Sequence, residues 1–390
     1  MKNQKSIIKY FLCLFCFILC GCITEYEVTD IDEIADILVV EGIITDDITY
    51  ITLSRSKSLT DWEKEQTSVQ YVYNATVYVE CDDDTRLAGY PDYTDVNNIR
   101  YIINTGKLNL ERQYRLKIEI EECDVGVDYY RSSITCSLKT YEYRSNYSYP
   151  MQTPVIDSVF WSKRGRGQPV MIYIATHDPS GKSLHYRWSY KEDWEFPSEV
   201  FLQKYPYYCW NKASSKVLLI GNAEKTVFGK VTDMITEMSP WSEKLSLLYR
   251  IDVNQNLISK RAYDYFANIK KNAELSGSIF APVPSELRGN ITCITNPEKP
   301  VIGYIDVSTT TKKRRYIYYN EGAYEQPRRN KDCDIVPLDS LLKWYNKIPD
   351  EYVIYDSGFG RPTTYIMEKC VNCTINDGTM QKPEDWPNDH

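Results

Sequence analysis

Histidine is nearly absent: His177, His185 and His390 are the only three among 390 residues. General acid–base chemistry would therefore have to rest on carboxylates or tyrosines. No serine elbow, glycine-rich phosphate loop or HExxH sequence occurs, which removes the common hydrolase, nucleotide-binding and zinc-protease signatures. No basic block is present, and no second long apolar run follows the first 21 residues. Phenylalanine and tryptophan are sparse, at 10 and 8, beside 34 tyrosines. No catalytic set emerges, and neither a metal site nor a cofactor is expected.

What is present begins at the N-terminus. Lys2, Lys5 and Lys9 precede an apolar run over residues 10–19, closed by Cys20-Gly21-Cys22. Charge, grease and a small residue in that order make an export signal over residues 1–21. The run is too short for a spanning helix, which needs about 20 apolar residues. Cys13, Cys16 and Cys20 follow Leu12, Phe15 and Leu19; only Cys22 follows a small residue, as a cleavage site requires. The segment looks like a bacterial lipobox, with Cys22 as the lipid-attachment residue, although Cys20 stands where the pattern has a small residue. Two or more acyl chains hold a protein to a membrane stably, at about 0.8 kcal/mol per buried methylene. Residues 22–36 then read as a polar tether.

The formal charge is −8, and loss of three leader lysines takes the mature part to −11. An acidic surface disfavours nucleic acid and anionic membrane as direct partners. Tyrosine suits strands and half-wet surfaces. Its abundance predicts amphipathic sheets, with an aromatic surface for glycan or peptide as the functional alternative.

The expected fold is mainly β: two Ig-like β-sandwich domains with a few short helices. The first covers residues 37–146. Within it 37–42, 48–54 and 75–80 read as strands, and Tyr114, Leu116, Ile118 and Ile120 share one face of another that pairs with 130–138. Residues 147–154, with two prolines, read as a linker. A second β-rich domain spans 153–320, with strands near 155–161, 170–176, 183–190, 217–220, 244–252, 300–307 and 315–319. In it Ala262, Tyr265, Phe266 and Ile269 predict a helix over 259–271. Residues 321–390 hold a second helix, with Pro337 at its start and Leu338, Leu341, Leu342 and Tyr345 at helical spacing, and a disulfide-braced tail.

Eight cysteines follow Cys22 and are candidates for disulfides in an oxidising compartment: Cys81, Cys123, Cys136, Cys209, Cys293, Cys333, Cys370 and Cys373. Their connectivity does not follow from sequence. Cys370-Val371-Asn372-Cys373 could be a redox dithiol, half a zinc site or part of structural disulfides. Turn residues follow it where a redox helix would begin, and no second pair supplies zinc ligands, so structural bonding is the expectation, with Cys333 a candidate partner for either thiol. Asp82-Asp83-Asp84 lacks the spaced oxygen ladder of a calcium loop and reads as a hairpin tip. His177 and His185, with no carboxylate cluster beside them, read as solvated hairpin residues rather than metal ligands. Tyr186, Trp188, Tyr190 and Trp194 lie in the densest aromatic stretch. They form either core or a ligand-contact surface, and the acids Glu192 and Glu195 beside them do not make a glycosidase pair.

Several segments in order resemble the domain of unknown function 4249 family. They are residues 38–45 with Ile51-Thr52-Leu53-Ser54, Tyr186-Arg187-Trp188 with 192–196, Arg261-Ala262-Tyr263-Asp264-Tyr265, 277–285, Gly289-Asn290-Ile291, Asn296-Pro297, Val301-Ile302-Gly303-Tyr304, and Cys370, Cys373, Pro383 and Trp386. The resemblance implies a Bacteroidota outer-membrane lipoprotein encoded beside SusC-like TonB-dependent receptors, and it supplies no catalytic residues. Residues 23–27 offer only Glu25 and Glu27, not an acidic run, so which membrane face carries the protein stays open. The expected function is that of a non-enzymatic accessory to such a nutrient transporter, binding the receptor, a small glycan or peptide, or both. The alternative is a structural or adhesive envelope lipoprotein. An enzyme such as a glycosidase would need Glu192 or Glu195.

Overall fold

The computed structural model describes residues 37–56, 69–95, 99–128, 133–226, 229–275, 289–326, 333–358 and 360–387, with backbone only at 123–128, 133–136 and 274–275. The leader 1–21, Cys22, the tether 22–36, the resemblance segment 277–285 and His390 lie outside the described residues. The chain is mainly β, with two α-helices among the described residues.

A ten-stranded sheet forms the first body. Its strands are β1 (Leu38–Ile43), β2 (Asp47–Arg55), β3 (Gln70–Tyr71), β4 (Thr76–Cys81), β5 (Arg86–Asp92), β6 (Arg100–Gly106), β7 (Tyr114–Asp128) and β8 (Ser133–Ser145), joined later by two short strands from much further along the chain. The ladder changes partner within β5: Ala88 pairs with Tyr78 on β4, and the next residue, Gly89, pairs with Ile103 on β6. Any Cβ at Gly89 would sit 2.8 Å from Ile103 Cγ1, so the close approach at this corner requires glycine. The two halves enclose one core. Val77, Val79, Leu116, Ile118, Ile120 and Tyr143 come from one side, and Leu38, Val40, Ile51, Leu53, Tyr101 and Ile103 from the other. The predicted face of Tyr114, Leu116, Ile118 and Ile120 is buried throughout.

The second body packs a three-stranded sheet against a five-stranded one. The first is β9 (Ile156–Lys163), β10 (Val170–Thr176) and β14 (Val231–Met238). The second orders β12 (Tyr208–Ser214), β11 (His185–Pro197), β15 (Leu248–Leu257) and β18 (Thr310–Tyr318), with β13 (Leu219–Asn222) also on β11. Helix α1 (Lys260–Leu275) follows β15 and buries Ala262 and Tyr265. Ser259 caps it, its hydroxyl accepting from Ala262 N at 3.2 Å.

After α1 the chain returns to the first body. Here β16 (Ile291–Cys293) pairs with β8, and β17 (Val301–Gly303) runs parallel to β1. The first sheet thus takes strands from within the stretch that sequence periodicity groups with the second unit. The segment between the bodies is also tied. Met151 N donates to Val307 O at 2.9 Å and Thr153 N to Thr309 Oγ1 at 2.9 Å, so residues 147–154 run beside 307–309 as a bonded strap.

The tail builds a small third sheet, β19 (Val336–Pro337), β21 (Thr364–Met367) and β20 (Tyr352–Asp356), around Cys333, Ile366, Cys370 and Val371. Helix α2 (Leu338–Tyr345) starts one residue after the expected position, with Pro337 as its N-cap rather than its first helical residue. Only Leu341 of its apolar stripe is buried; Leu342 and Tyr345 stay exposed.

Candidate functional site

The predicted aromatic surface is interior. Tyr186, Trp188, Tyr190 and Trp194 are between 0 and 8% exposed and belong to the core between the two sheets of the second body. Period-2 alternation puts them on one face of β11, and that face meets β9, β10 and β14 rather than solvent. Burial is consistent with their bonding: Trp188 Nε1 donates to Gln255 Oε1 at 2.8 Å, and Trp194 Nε1 to Glu243 Oε1 at 3.2 Å. Desolvation pushes the Tyr186 hydroxyl up to about 12.

The acids of the same stretch are held internally. Glu192 accepts from the Tyr249 hydroxyl at 2.7 Å and pairs with Lys244. Burial and the Glu192 charge hold the Tyr249 phenol well above its usual range. Glu195 accepts from Trp386 Nε1 at 2.9 Å. Both carboxylates are buried.

The cysteines separate into two kinds. Cys333 bonds Cys370, and Cys209 on β12 bonds Cys373. The two thiols of the C-x-x-C segment thus serve two different structural bonds, one within the tail and one from the tail to the second body. Cys81 and Cys293 are free and buried, so these two candidates do not form disulfides; they sit on β4 and β16 of the first body. Cys123 and Cys136 stand on β7 and β8, opposite Leu138 and Val125, and their side chains lie outside the described residues. Asp83 closes its hairpin by accepting from Thr85 N at 3.0 Å, and Asp84 takes the left-handed conformation, as a turn requires. His177 is half-exposed and bonded to Asp157, whereas His185 is buried against Tyr263 and not solvated as expected. Among the described residues no group of three or more His, Cys, Asp and Glu side chains is placed to hold a metal.

A different set of residues forms a cavity. Where the tail meets the second body a cleft of about 990 Å³ opens, at the upper end of the range for small-molecule sites. Its body side carries Tyr207, Trp241 and Tyr324 with Glu199 and Glu243; Lys369 lies on the tail side. Trp241 is 50% exposed. Tyr207 is fixed by edge-on contacts to Phe201 at 5.5 Å and Tyr208 at 4.8 Å. Burial, then the Glu199 charge, raise the Tyr324 phenol above its ordinary value. Cys333 lines the cleft, Val200 N donates to Cys370 O at 2.9 Å, and the Cys209–Cys373 bond ties the tail wall to the second body. None of these aromatics lies in a recognisable sequence motif.

The architecture is that of a disulfide-braced, mainly β chain with an aromatic-lined cleft. The chain belongs to the family described as domain of unknown function (DUF4249), whose match spans residues 23–314. The match covers both large bodies through most of β18 and stops before the tail wall of the cleft. No curated protein matches the sequence. Among solved structures, the Enterococcus faecalis MSCRAMM ACE, described as binding its ligands by the collagen hug model, aligns with 59% of this chain and 91% of its own at 8% identity. The TM-score is 0.16, which carries no argument about fold or function.

Proposed function

We propose that this protein is a lipid-anchored outer-membrane accessory of a SusC-like TonB-dependent transporter, and that it binds substrate in the cleft beneath Trp241 and Tyr324. The observation that carries the anchoring is Cys22 directly after Gly21 at the end of a short basic-then-apolar leader. The transport context rests on what the family resemblance of the sequence implies. The two large cores are read as two Ig-like sandwich domains, with the tail as a third, smaller unit closing the cleft. The reading is one of binding without turnover, since Glu192 and Glu195 are committed to bonds inside the protein.

The test is a C-terminally tagged chain recovered from gently solubilised outer membranes. A TonB-dependent receptor in stoichiometric amount supports the proposal. A solitary lipoprotein overturns it and leaves a structural or adhesive envelope role. Conversion of Cys22 to serine should release the protein from the membrane and abolish acyl labelling.

A further inference from the structure

Helix α2 leaves most of its apolar side uncovered. At about 100° per residue, Leu338, Leu341, Leu342, Trp344 and Tyr345 fall within one arc of about 160°, and Asp339, Ser340 and Lys343 lie in the remainder. Such segregation marks a helix that packs one side against something. Of the five, only Leu341 is buried within this chain. Leu342, Trp344 and Tyr345 are exposed, Trp344 at 61%. The uncovered side continues onto β20, since the Tyr345 and Tyr352 ring centroids are 6.4 Å apart. On β20 Val353 and Tyr355 pack on the tail core, so alternation turns Tyr352 and Ile354 outward, and Ile354 is exposed. A helix of eight residues does not stand on propensity alone, and a second packing partner would hold it.

A protein partner fits this surface poorly. A stable protein interface takes roughly 20–30 residues a side. Here the exposed apolar set is Leu342, Trp344, Tyr345 and Ile354, on the convex side of a helix and the strand beside it. A lipid surface needs far less. Trp and Tyr favour the headgroup level of a bilayer, Leu and Ile the acyl boundary, and lysines beside them reach back to the headgroups. Lys343 on α2 and Lys347 just after it are both exposed. The chain also keeps such a surface close. The described fold begins at residue 37, and Cys22 precedes it by a stretch that reaches about 50 Å at full extension. A weak contact on a molecule already held at that distance forms at high effective concentration. Asp350 and Glu351, exposed next to Tyr352, favour a zwitterionic surface over an anionic one.

We infer that the tail carries a second membrane contact, in which Leu342, Trp344, Tyr345 and Ile354 rest in the interface of a zwitterionic lipid surface. The lipid on Cys22 supplies attachment, and this contact supplies orientation, turning the tail toward the bilayer. This rests on the reading of Cys22 as the lipid-attachment residue, and not on the identity of any receptor.

The full lipidated chain is reconstituted into vesicles of phosphatidylcholine and phosphatidylethanolamine, with and without brominated acyl chains, which quench tryptophans at membrane depth. The difference between wild type and Trp344→Phe isolates the Trp344 emission from that of the other tryptophans. The expected result is a blue-shifted Trp344 emission that brominated lipid quenches and aqueous iodide does not. Leu342→Glu with Tyr345→Glu should lose the quenching by bromine and gain quenching by iodide, while the chain still floats with the vesicles. Both variants should melt with the wild type, since the altered side chains are exposed; if the double variant does not fold, Trp344→Phe decides alone. A wild type that floats with a Trp344 emission indifferent to bromine overturns the second contact and keeps the anchor. A wild type that does not float overturns both. Trp344 shielded in outer membranes that hold a co-purifying receptor, but not in vesicles, would overturn the lipid contact and assign this face to protein.

Discussion

Trp386 donates its indole Nε1–H to Glu195 Oε2 at 2.9 Å across a separation of 191 residues, and both side chains are buried. The contact closes the tail over the outside of the five-stranded sheet. Arg250 reinforces it, stacking 5.3 Å from the Trp386 ring and donating to Glu384 O at 2.9 Å. Trp386→Phe keeps the ring burial and removes the donor from a buried carboxylate. The expected cost is about 2 kcal/mol, in the range for hydrogen bonds to charged groups. Urea unfolding should show it, with earlier proteolytic cutting of the tail. An unchanged midpoint would mean that the indole N–H contributes nothing.

The two disulfides should differ in weight. Cys209–Cys373 closes a separation of 164 residues and Cys333–Cys370 one of 37. Loop entropy then assigns about 5 kcal/mol to the first and about 4 kcal/mol to the second. Cys209→Ser with Cys373→Ser should lower the unfolding midpoint more than Cys333→Ser with Cys370→Ser. Both pairs of changes should open the cleft, because both bonds position its tail wall. Equal midpoints with and without reductant would sink the bracing role.

Strands of clean alternation are legible in the amino-acid order alone. Tyr114, Leu116, Ile118 and Ile120 share a buried face because a period of two fixes which side each residue takes. The same pattern places Tyr186, Trp188 and Tyr190 together, but whether that face meets solvent depends on β9, β10 and β14, which the local pattern does not contain. Cys333 is a visible candidate for the C-x-x-C segment; Cys209, 164 residues from Cys373, is not. The return of β16 and β17 to the first sheet is equally hidden, since Ile291 pairs with Ser145 across 146 residues and Val301 with Leu38 across 263, which leaves no local trace. The cleft is the least legible feature. Ser198, Tyr207, Trp241, Tyr324 and Asn376 are scattered along the chain, and the docking of the tail closes the cavity that they line.

Gly221 should not tolerate a methyl group. A Cβ there would lie 2.1 Å from Trp188 Cη2 and 2.7 Å from Cζ3. Trp188 has little room to yield, since its Nε1–H is held by Gln255 and its ring stacks on Tyr186 with centroids 5.9 Å apart. Gly221→Ala is expected to cost about 1–3 kcal/mol, as overpacking does in a filled core. Thermal unfolding measures it. A variant as stable as the wild type would show that the Trp188 ring moves freely, against the tight packing of this core.

His185 should make stability depend on pH near neutrality. Its imidazole is buried between Tyr263, whose ring centroid is 4.9 Å away, and Glu224, whose carboxylate lies 3.2 Å from Nε2. Burial is the largest influence and lowers its pKa; Glu224 and Asp264 act in the opposite direction, and Lys260 adds to the lowering. The unfolded chain titrates this group near about 6.5. Below that pH the unfolded state takes up the proton before the folded state does, so stability is full above about 6.5 and falls as the pH drops toward the folded value. His185→Gln removes the titration while keeping a polar side chain near Glu224. Urea midpoints between about pH 7.5 and pH 5 should therefore decline more steeply for the wild type than for the variant. Parallel curves would mean that the folded protein accommodates the imidazolium beside Glu224 as well as water does.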